Sequence, residues 1–410
     1  MIVKETETMS AVNKASFLDL AQKLGQSVER LKAGEPVQTI VQIHSLAELK
    51  ELLVGNPTDG QRAGNSQDLA VRHAAALAGG PDSNPLARLI NHVFGNAPLS
   101  AQDAQAANAM FPIKISVFSQ EDMTVTTDLL FGPSASPVVL NVGTLTFNGG
   151  SITTQNTVLS LTADTLAVGS NPGTKPYHIG ILGVDGQAGT AGTGGAANNP
   201  PQAANGADAS SRSPGVCAGG GGGGSTGAKG NQGGNGSTGP NGLPSLPATI
   251  TLGSFSTQSG NLVLFTRSGA GGQGGAGGQG GVGQQGGNGG SGCDSGCEGT
   301  DGGNAGSGGD GGIGGNGGQG GNGVNGFNVT VGVPAANVNN VVTSTAVASF
   351  GQGGLAGAAG VGGGAGSAGG GGKGSSDGSS GQQGNPGTAG TNGAAGTQQG
   401  SPGQFFVSGQ

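Results

Sequence analysis

The chain of 410 residues has no tryptophan, a single tyrosine and only 9% charged residues. Nucleic-acid binding needs a basic surface with stacking rings, so this scarcity of basic and aromatic side chains argues against it. Most disordered sequences are rich in charge and proline, and this one is not. No stretch approaches the roughly 18 apolar residues of a membrane span, so we predict no membrane insertion.

Patterns typical of catalytic and metal sites are also missing. His44, His73 and His92 stand singly, and no histidine follows His178, so no zinc site or histidine relay is predicted in the glycine-rich half. Calcium-binding glycine repeats need recurring aspartates, and Asp310 stands alone. We therefore predict no enzyme activity, no catalytic residue, no metal ion and no cofactor.

Three cysteines allow one disulfide and leave one thiol over. Cys293 and Cys297 are a candidate pair, and a bridge from one of them to Cys217 is the alternative. The N-terminus carries acidic residues and lacks an apolar core, so no Sec-type signal peptide is predicted. An extracellular or virion-associated location would then need another route of export.

Glycine is abundant, with 95 residues, and its spacing is regular. It recurs at every third position from 351 to 396, and only Ser375 interrupts the series. A flexible linker needs glycine in its composition but not in register, whereas a fixed period of three indicates three residues per turn. The matching structure is an extended polyproline-II-type helix. Its backbone groups must bond to neighbouring segments because it has no internal hydrogen bonds.

The triplet runs differ in how many glycines each triplet carries. Two per triplet, as in 271–281 and 308–321, leave two bare edges on which other backbones can pack closely. The run 351–396 mostly has one glycine per triplet and therefore one bare edge. We therefore predict a layered bundle with the two-edged runs inside and turns near 284–285, 324–325, 373–377 and 385–386. The glycines predicted to be structural are Gly272, Gly275, Gly278, Gly309, Gly312, Gly315, Gly318, Gly354, Gly360 and Gly387.

Two other structures could show frequent glycine. A collagen triple helix has glycine at every third position, but it needs proline-rich positions between them, and strands interrupt every run here. A disordered glycine tract needs no register, so the uniform register argues against it. The packed bundle is the structure that we predict.

The remaining chain divides by its hydrophobic pattern into a multidomain fold. Residues 1–110 show helical periodicity and predict an α-helical module for docking or assembly. Residues 111–179 alternate polar and apolar residues, which predicts a β-rich neck, either a β-solenoid or a sandwich. Residues 180–410 form the glycine-rich bundle, with small β-sheets interleaved near 248–266 and 327–350.

The triplet runs resemble the polyglycine-II helices of known glycine-rich domains. The boundary from strand to triplets, 327–332 through 348–360, is similar to the boundaries in the receptor-binding tip adhesins of bacteriophage tail fibres. Similar lattices occur in springtail antifreeze proteins and in the glycine-rich ectodomain of the anaplastic lymphoma kinase receptor. The resemblance covers residues 180–410.

In the tail-fibre adhesins, recognition lies in loops between the helices, and the resemblance implies the same for 196–216, 291–298 and 373–377. The implied recognition residues are Asn198, Asn199, Arg212, Asp294, Glu298, Lys373 and Asp377. We expect a non-enzymatic extracellular or virion-type structural protein that adheres to a protein or glycan receptor. The alternative is a self-assembling fibre or appendage subunit whose partner is another copy of the chain. Ice binding is a third hypothesis.

Overall fold

The computed structural model describes residues 17–54, 88–89, 92–94, 98–134, 136–169, 173–198, 201–213, 215–256, 260–296 and 298–409. Within these ranges the regular structure is mostly β-strand with few helices, so the expectation of a β-rich protein is confirmed. Residues 1–16 and most of 55–97 of the predicted helical module lie outside the described residues. Within 55–97 only 88–89 and 92–94 are described, and they are helical.

The helices are short and lie near the N-terminus, at residues 17–23, Val28–Lys32, Leu46–Val54 and Ala101–Asn108. The first seven strands are β1 Val37–Ile43, β2 Ile113–Val125, β3 Leu129–Phe131, β4 Val138–Phe147, β5 Ile152–Gln155, β6 Leu159–Val168 and β7 Ile179–Leu182. The strands that follow are β8 Ser211–Ser213, β9 Val216–Cys217, β10 Ala248–Leu252, β11 Leu262–Arg267, β12 Val329–Val333, β13 Val341–Ala346 and β14 Phe405–Gly409. A 3-10 helix, Ala335–Asn340, connects β12 to β13.

The prediction of a helical module over 1–110 is wrong at β1. This strand pairs antiparallel with β2, in a register that puts Val37 beside Ser119 and Ile43 beside Ile113. Both of its ends are buried, and exposure alternates between them. β-Branched residues in such alternation favour a strand over a helix. β1 therefore joins the first part of the chain to the neck through a shared sheet.

Two sheets run from the neck into the glycine-rich region. The seven-stranded sheet has the order β1-β2-β4-β6-β10-β12-β14, and the five-stranded sheet has the order β13-β11-β7-β5-β3. After the β1–β2 pair, neighbouring strands in both sheets are parallel. Successive coils of the chain thus add one strand to each sheet in turn. The strands near 248–266 and 327–350 are not separate small sheets, as we predicted, because they continue the sheets of the neck.

The hydrophobic core lies between the two sheets and is aligned from coil to coil. Leu161 of β6 lies beside Ile250 of β10, which lies beside Val331 of β12. All three side chains are fully buried and belong to one cluster with residues of the smaller sheet, such as Ile179 and Leu264. Stacking of like side chains fixes the register, because a one-residue slip would turn every side chain to the opposite face.

Three long excursions leave this stack of strands, between β7 and β10, β11 and β12, and β13 and β14. Each consists of an outgoing and a returning extended segment. We number these glycine segments first to sixth in chain order: 183–210, 218–243, 268–292, 300–326, 347–372 and 376–403. Residues at three-residue spacing in each segment donate their N–H groups to a neighbouring segment, as Gly274 does to the carbonyl of Gln352 at 2.8 Å. In the third and fourth segments two residues of most triplets donate in this way.

The six segments form two layers of opposite chain direction. The outgoing first, third and fifth segments lie side by side, and the returning second, fourth and sixth form the other layer. The third segment bonds to the first, second, fourth and fifth, and the fourth bonds to the second, third, fifth and sixth. These central segments contain 271–281 and 308–321, the two-edged runs that we expected inside.

The glycines predicted to be structural have no room for a side chain. At each of the ten positions a Cβ atom would overlap a carbonyl oxygen of a neighbouring segment. Gly315 of the fourth segment would meet Gly234 of the second, and Gly387 of the sixth would meet Gly312 of the fourth. Close backbone approach, which only glycine permits, therefore replaces side-chain packing in this region.

Three of the predicted turns are absent, because the every-third-residue hydrogen bonds continue past 284–285, 324–325 and 385–386. The chain does turn at 373–375, where Gly374 has a φ of +78°. The break in the glycine series at Ser375 therefore marks the point where the run 351–396 folds back.

Gln284 occupies a lattice position that glycine fills elsewhere. The first segment uses eight residues from Gly195 to Ala203, while the facing third segment advances by six, 279–285. The first segment is therefore two residues longer than the third between these two hydrogen bonds. The side chain of Gln284 bonds to the second segment, where its Oε1 accepts a hydrogen bond from the N–H of Ala228 at 2.9 Å.

Candidate functional site

The three excursions end in turns at the same end of the bundle, away from the sheets. The β8–β9 hairpin forms the first turn, residues 293–299 form the second, and 373–375 form the third. They come together because the three outgoing segments are parallel neighbours. We name this end the tip and define it as residues 208–217, 291–301 and 371–377.

A disulfide joins the first turn to the second. Cys217 and Cys293 are bonded, with Cα atoms 5.8 Å apart and a sequence separation of 76 positions. This is one of the pairings that the sequence left open, and Cys297 lies outside the described residues. Closing a loop of this length stabilises the fold by roughly 4 kcal/mol in the chain-entropy model. The first two turns are therefore fixed relative to each other.

One carboxylate ties the third turn to the residues that follow the second turn, and another closes the third turn itself. Asp301 Oδ1 accepts a hydrogen bond from the N–H of Ser376 at 2.8 Å. Asp377 Oδ1 accepts one from the N–H of Gly371 at 2.7 Å, across its own turn. Hydrogen bonds from backbone N–H to an ionised carboxylate are stronger than neutral ones. The three turns therefore form one connected surface.

Charged side chains concentrate on this surface. From residue 183 onward the sequence has eleven charged residues, and seven of them lie at the tip. All seven are exposed: Asp208, Arg212, Asp294, Glu298, Asp301, Lys373 and Asp377. Five acids and two bases give the tip a formal charge of −3. The long faces of the bundle carry few charges.

The structure brings five of the seven sequence-predicted recognition residues to the tip: Arg212, Asp294, Glu298, Lys373 and Asp377. Asn198 lies along the side of the bundle instead, where its Nδ2 donates to the carbonyls of Ala228 and Lys229 at 3.3 and 3.2 Å. Asn199 lies outside the described residues.

The expected loop 196–216 is shorter than we predicted. Residues 201–210 continue the first segment, and Ala203, Gly206 and Ala209 donate in turn to the third segment. Ala203 and Ala209 take positions of the row that glycine fills elsewhere, whereas a Cβ at Gly206 between them would overlap the carbonyl oxygen of Gly222. These three small residues recur at every third position, and that spacing was the sequence signal that the segment continues.

Sequence reasoning also missed a role for aspartate and asparagine on the returning layer. One N–H in each triplet points outward and has no backbone partner in the lattice. Asn304 Oδ1 accepts this bond from Ser379 at 2.8 Å, and Asn316 Oδ1 accepts it from Thr391 at 2.9 Å. Such side chains satisfy donors that would otherwise rely on water. The signal was the recurrence of Asp and Asn at three-residue spacing from 301 to 325.

The neck holds two buried titratable groups. Burial raises the pKa of Asp164 to about 6, and the N–H of Phe17, which donates to its carboxylate at 3.0 Å, acts in the opposite direction. Burial lowers the pKa of His178, whose Nδ1 accepts from the N–H of Val263 at 3.0 Å. These contacts with backbone are typical of anchored core residues and not of an acid–base pair.

Within the described ranges, no group of His, Cys, Asp and Glu side chains could hold a metal ion. No helix in that part of the chain is long and apolar enough to cross a membrane. Comparison with protein-family models, curated proteins and solved structures finds no match to this chain.

Proposed function

We propose that this is a non-enzymatic adhesive protein, extracellular or virion-associated, whose rigid bundle displays the tip for recognition of a protein or glycan receptor. The observation that carries the proposal is the concentration of exposed charge at the tip. Seven charged residues lie there on three connected turns. Exposed charged residues on loops held by a rigid scaffold are a common arrangement for binding.

The proposed architecture is a β-solenoid with a polyglycine-II bundle growing from it. The parallel coils that alternate between two sheets support the solenoid over the sandwich. Hydrogen bonding at every third residue, with glycine at the close approaches, supports polyglycine-II helices. The N-terminal helices would serve docking or assembly.

Rigidity and reach both favour recognition at the tip. At about 3.1 Å per residue, a segment of the length of 376–403 would carry the tip roughly 80 Å from the sheets. Backbone bonds along the segments and the Cys217–Cys293 disulfide keep the turns in place before a ligand binds. Such preorganisation reduces the ordering cost of association.

The test is a tip variant with neutralised charges, combining Arg212→Gln, Asp294→Asn, Glu298→Gln and Lys373→Gln. A matched control neutralises Lys229 and Asp310 on the side of the bundle, as Lys229→Gln and Asp310→Asn. Labelled proteins would be applied to a glycan array and a panel of bacterial and eukaryotic cells. We expect wild type and control to bind one surface alike and the tip variant to bind at least about tenfold more weakly. Equal binding by the tip variant, or no binding by wild type, would refute tip recognition.

A self-assembling appendage subunit is the second candidate. The observation that favours it is the presence of exposed aliphatic side chains on the outgoing layer, such as Leu355 and Val361, which are 70% and 56% exposed. Ice binding is less favoured, because asparagine and glutamine are frequent among the outward residues. A thermal hysteresis assay would decide that third hypothesis.

A further inference from the structure

The two flat faces of the bundle differ in chemistry. On the returning face, Asp and Asn side chains cap outward N–H groups along the length of the bundle, as Asp310 does for Asn385 at 2.8 Å. On the outgoing face such caps lie toward the two ends, as Asp185 does for Ala270 and Asp208 does for Ser291. On the outgoing face, the middle of the bundle has a patch without any charged residue. This patch consists of four successive outward positions in each of the first, third and fifth segments.

The patch has three columns of unequal size. The first-segment column is small: Ala188, Ala191, Gly194 and Ala197. The third-segment column is intermediate: Gln273, Ala276, Gln279 and Val282. The fifth-segment column is the largest: Gln352, Leu355, Ala358 and Val361. All twelve residues are exposed.

Hydrogen bonds set the rows of this grid. The N–H of Gly192 donates to Ala276 at 2.8 Å, and the N–H of Gly277 donates to Leu355 at 2.8 Å. Ala191, Ala276 and Leu355 therefore lie in one row across the face. The small column is at one edge of each row, and the large column is at the other.

We infer that this patch is a docking surface for a second copy of the chain, related by a two-fold axis parallel to the glycine segments. That axis exchanges the outer columns, so the large fifth-segment column of each copy lies against the small first-segment column of the other. The middle column packs on itself. Self-complementarity of this kind is what a two-fold interface requires.

The area fits a reversible dimer. Four rows spaced at three residues of about 3.1 Å give a length of roughly 37 Å. Three columns about 4.8 Å apart give a width of roughly 15 Å. Each copy would then bury about 550 Å², or about 1,100 Å² for the pair, which is just below the range of stable complexes. The dimer is therefore a weak one that forms at high protein concentration.

The inference is independent of receptor recognition at the tip, since it uses a different surface. It has one consequence for that proposal. An axis parallel to the segments points both tips the same way, so a dimer would offer two binding surfaces to one target. Linked sites of this kind raise overall avidity without new contacts.

The first test compares Leu355→Glu with Ile313→Glu in sedimentation velocity over a wide concentration range. Ile313 is the matched control, because it is an exposed aliphatic residue at an outward position of the returning face. Leu355→Glu should raise the dimer dissociation constant at least about tenfold, since two copies of the charge enter each interface. Ile313→Glu should leave it unchanged. A wild-type chain that stays monomeric at all concentrations, or equal effects of the two variants, would overturn the proposal.

The second test fixes the geometry. Ala276→Cys lies in the middle column, so two copies should form a disulfide-linked dimer under mild oxidation. Thr388→Cys, on the returning face, is the control, and wild type accounts for the native cysteines. Cross-linking of Ala276→Cys alone would support the proposed axis. Equal cross-linking of both cysteine variants, or none for Ala276→Cys, would overturn it.

Discussion

Substitution of Gly315 by valine tests whether the centre of the bundle is held by backbone contact. The N–H of Gly315 donates to Gly278 of the third segment at 2.8 Å, and its carbonyl accepts from Gly357 of the fifth. A Cβ atom would overlap the carbonyl oxygen of Gly234 in the second segment. With neighbours bonded on these sides, the fourth segment cannot move to make room.

Gly387→Val is the matched control in the sixth segment. Its Cβ would overlap the carbonyl oxygen of Gly312 just as closely, and its N–H donates to Gly360 at 2.9 Å. The described segments leave the outer side of the sixth free, so this segment can shift outward. The shift would break two or three hydrogen bonds at about 1 kcal/mol each, so we expect a loss of about 2–3 kcal/mol.

For Gly315→Val, the overlap of the added side chain can be removed only if the fourth segment breaks hydrogen bonds to several neighbouring segments at once. We expect a loss of at least about 5 kcal/mol, which approaches the whole stability of many proteins. The assay is urea unfolding of both variants, with soluble yield as a second measure. Losses that agree within about 1 kcal/mol would show that the centre and the edge are equally tolerant, and the layered arrangement would then not explain the glycine pattern.

Two further predictions concern the neck and the tip. Asp164 has a pKa raised from 3.8 to about 6, so the folded state binds its proton more tightly than the unfolded state, and this stabilising effect is lost as the pH rises through about 6. Asp164→Asn should therefore gain stability over wild type between pH 4 and pH 7, by at most about 3 kcal/mol, in urea unfolding at each pH. A difference that is constant with pH would contradict this. Replacing Cys217 and Cys293 by serine should cost roughly 4 kcal/mol, and dithiothreitol should destabilise wild type equally. Reduction that leaves wild-type stability unchanged would show that the disulfide adds nothing.

The parts of the fold that follow from a local period could be predicted from the sequence. Two glycines per triplet in 271–281 and 308–321 were sufficient to indicate which runs lie at the centre, because the bare edges belong to the runs themselves. β1 was missed although its residues alternate, because the flanking segments have helical periodicity. The straight passage through Gln284 could not be predicted, since the partner of this side chain, Ala228, lies in another segment 56 positions earlier in the sequence.

The tip was only partly predictable, because its arrangement depends on contacts between segments that are far apart in sequence. Breaks in the triplet series located the second and third turns, which hold Asp294, Glu298, Lys373 and Asp377. They misplaced Asn198, because a break in glycine spacing does not require a turn, and 201–210 continue the first segment beyond it. Which turns meet depends on the parallel order of β7, β11 and β13, whose partners are about eighty residues apart in sequence.

The continuity between strands and glycine segments explains how a repetitive lattice acquires one register. A shift of three residues would leave most glycine contacts unchanged, so the segments alone define their alignment weakly. The strands remove this ambiguity, because Leu161, Ile250 and Val331 stack in a single register within the core. Strands and extended three-fold helices have similar rises, about 3.3 and 3.1 Å per residue, so alignment set in the sheets can pass directly into the segments. The Cys217–Cys293 disulfide fixes the far end of the same lattice. Side-chain packing at one end and a covalent bond at the other therefore specify the alignment of the segments, which the glycines between them cannot specify.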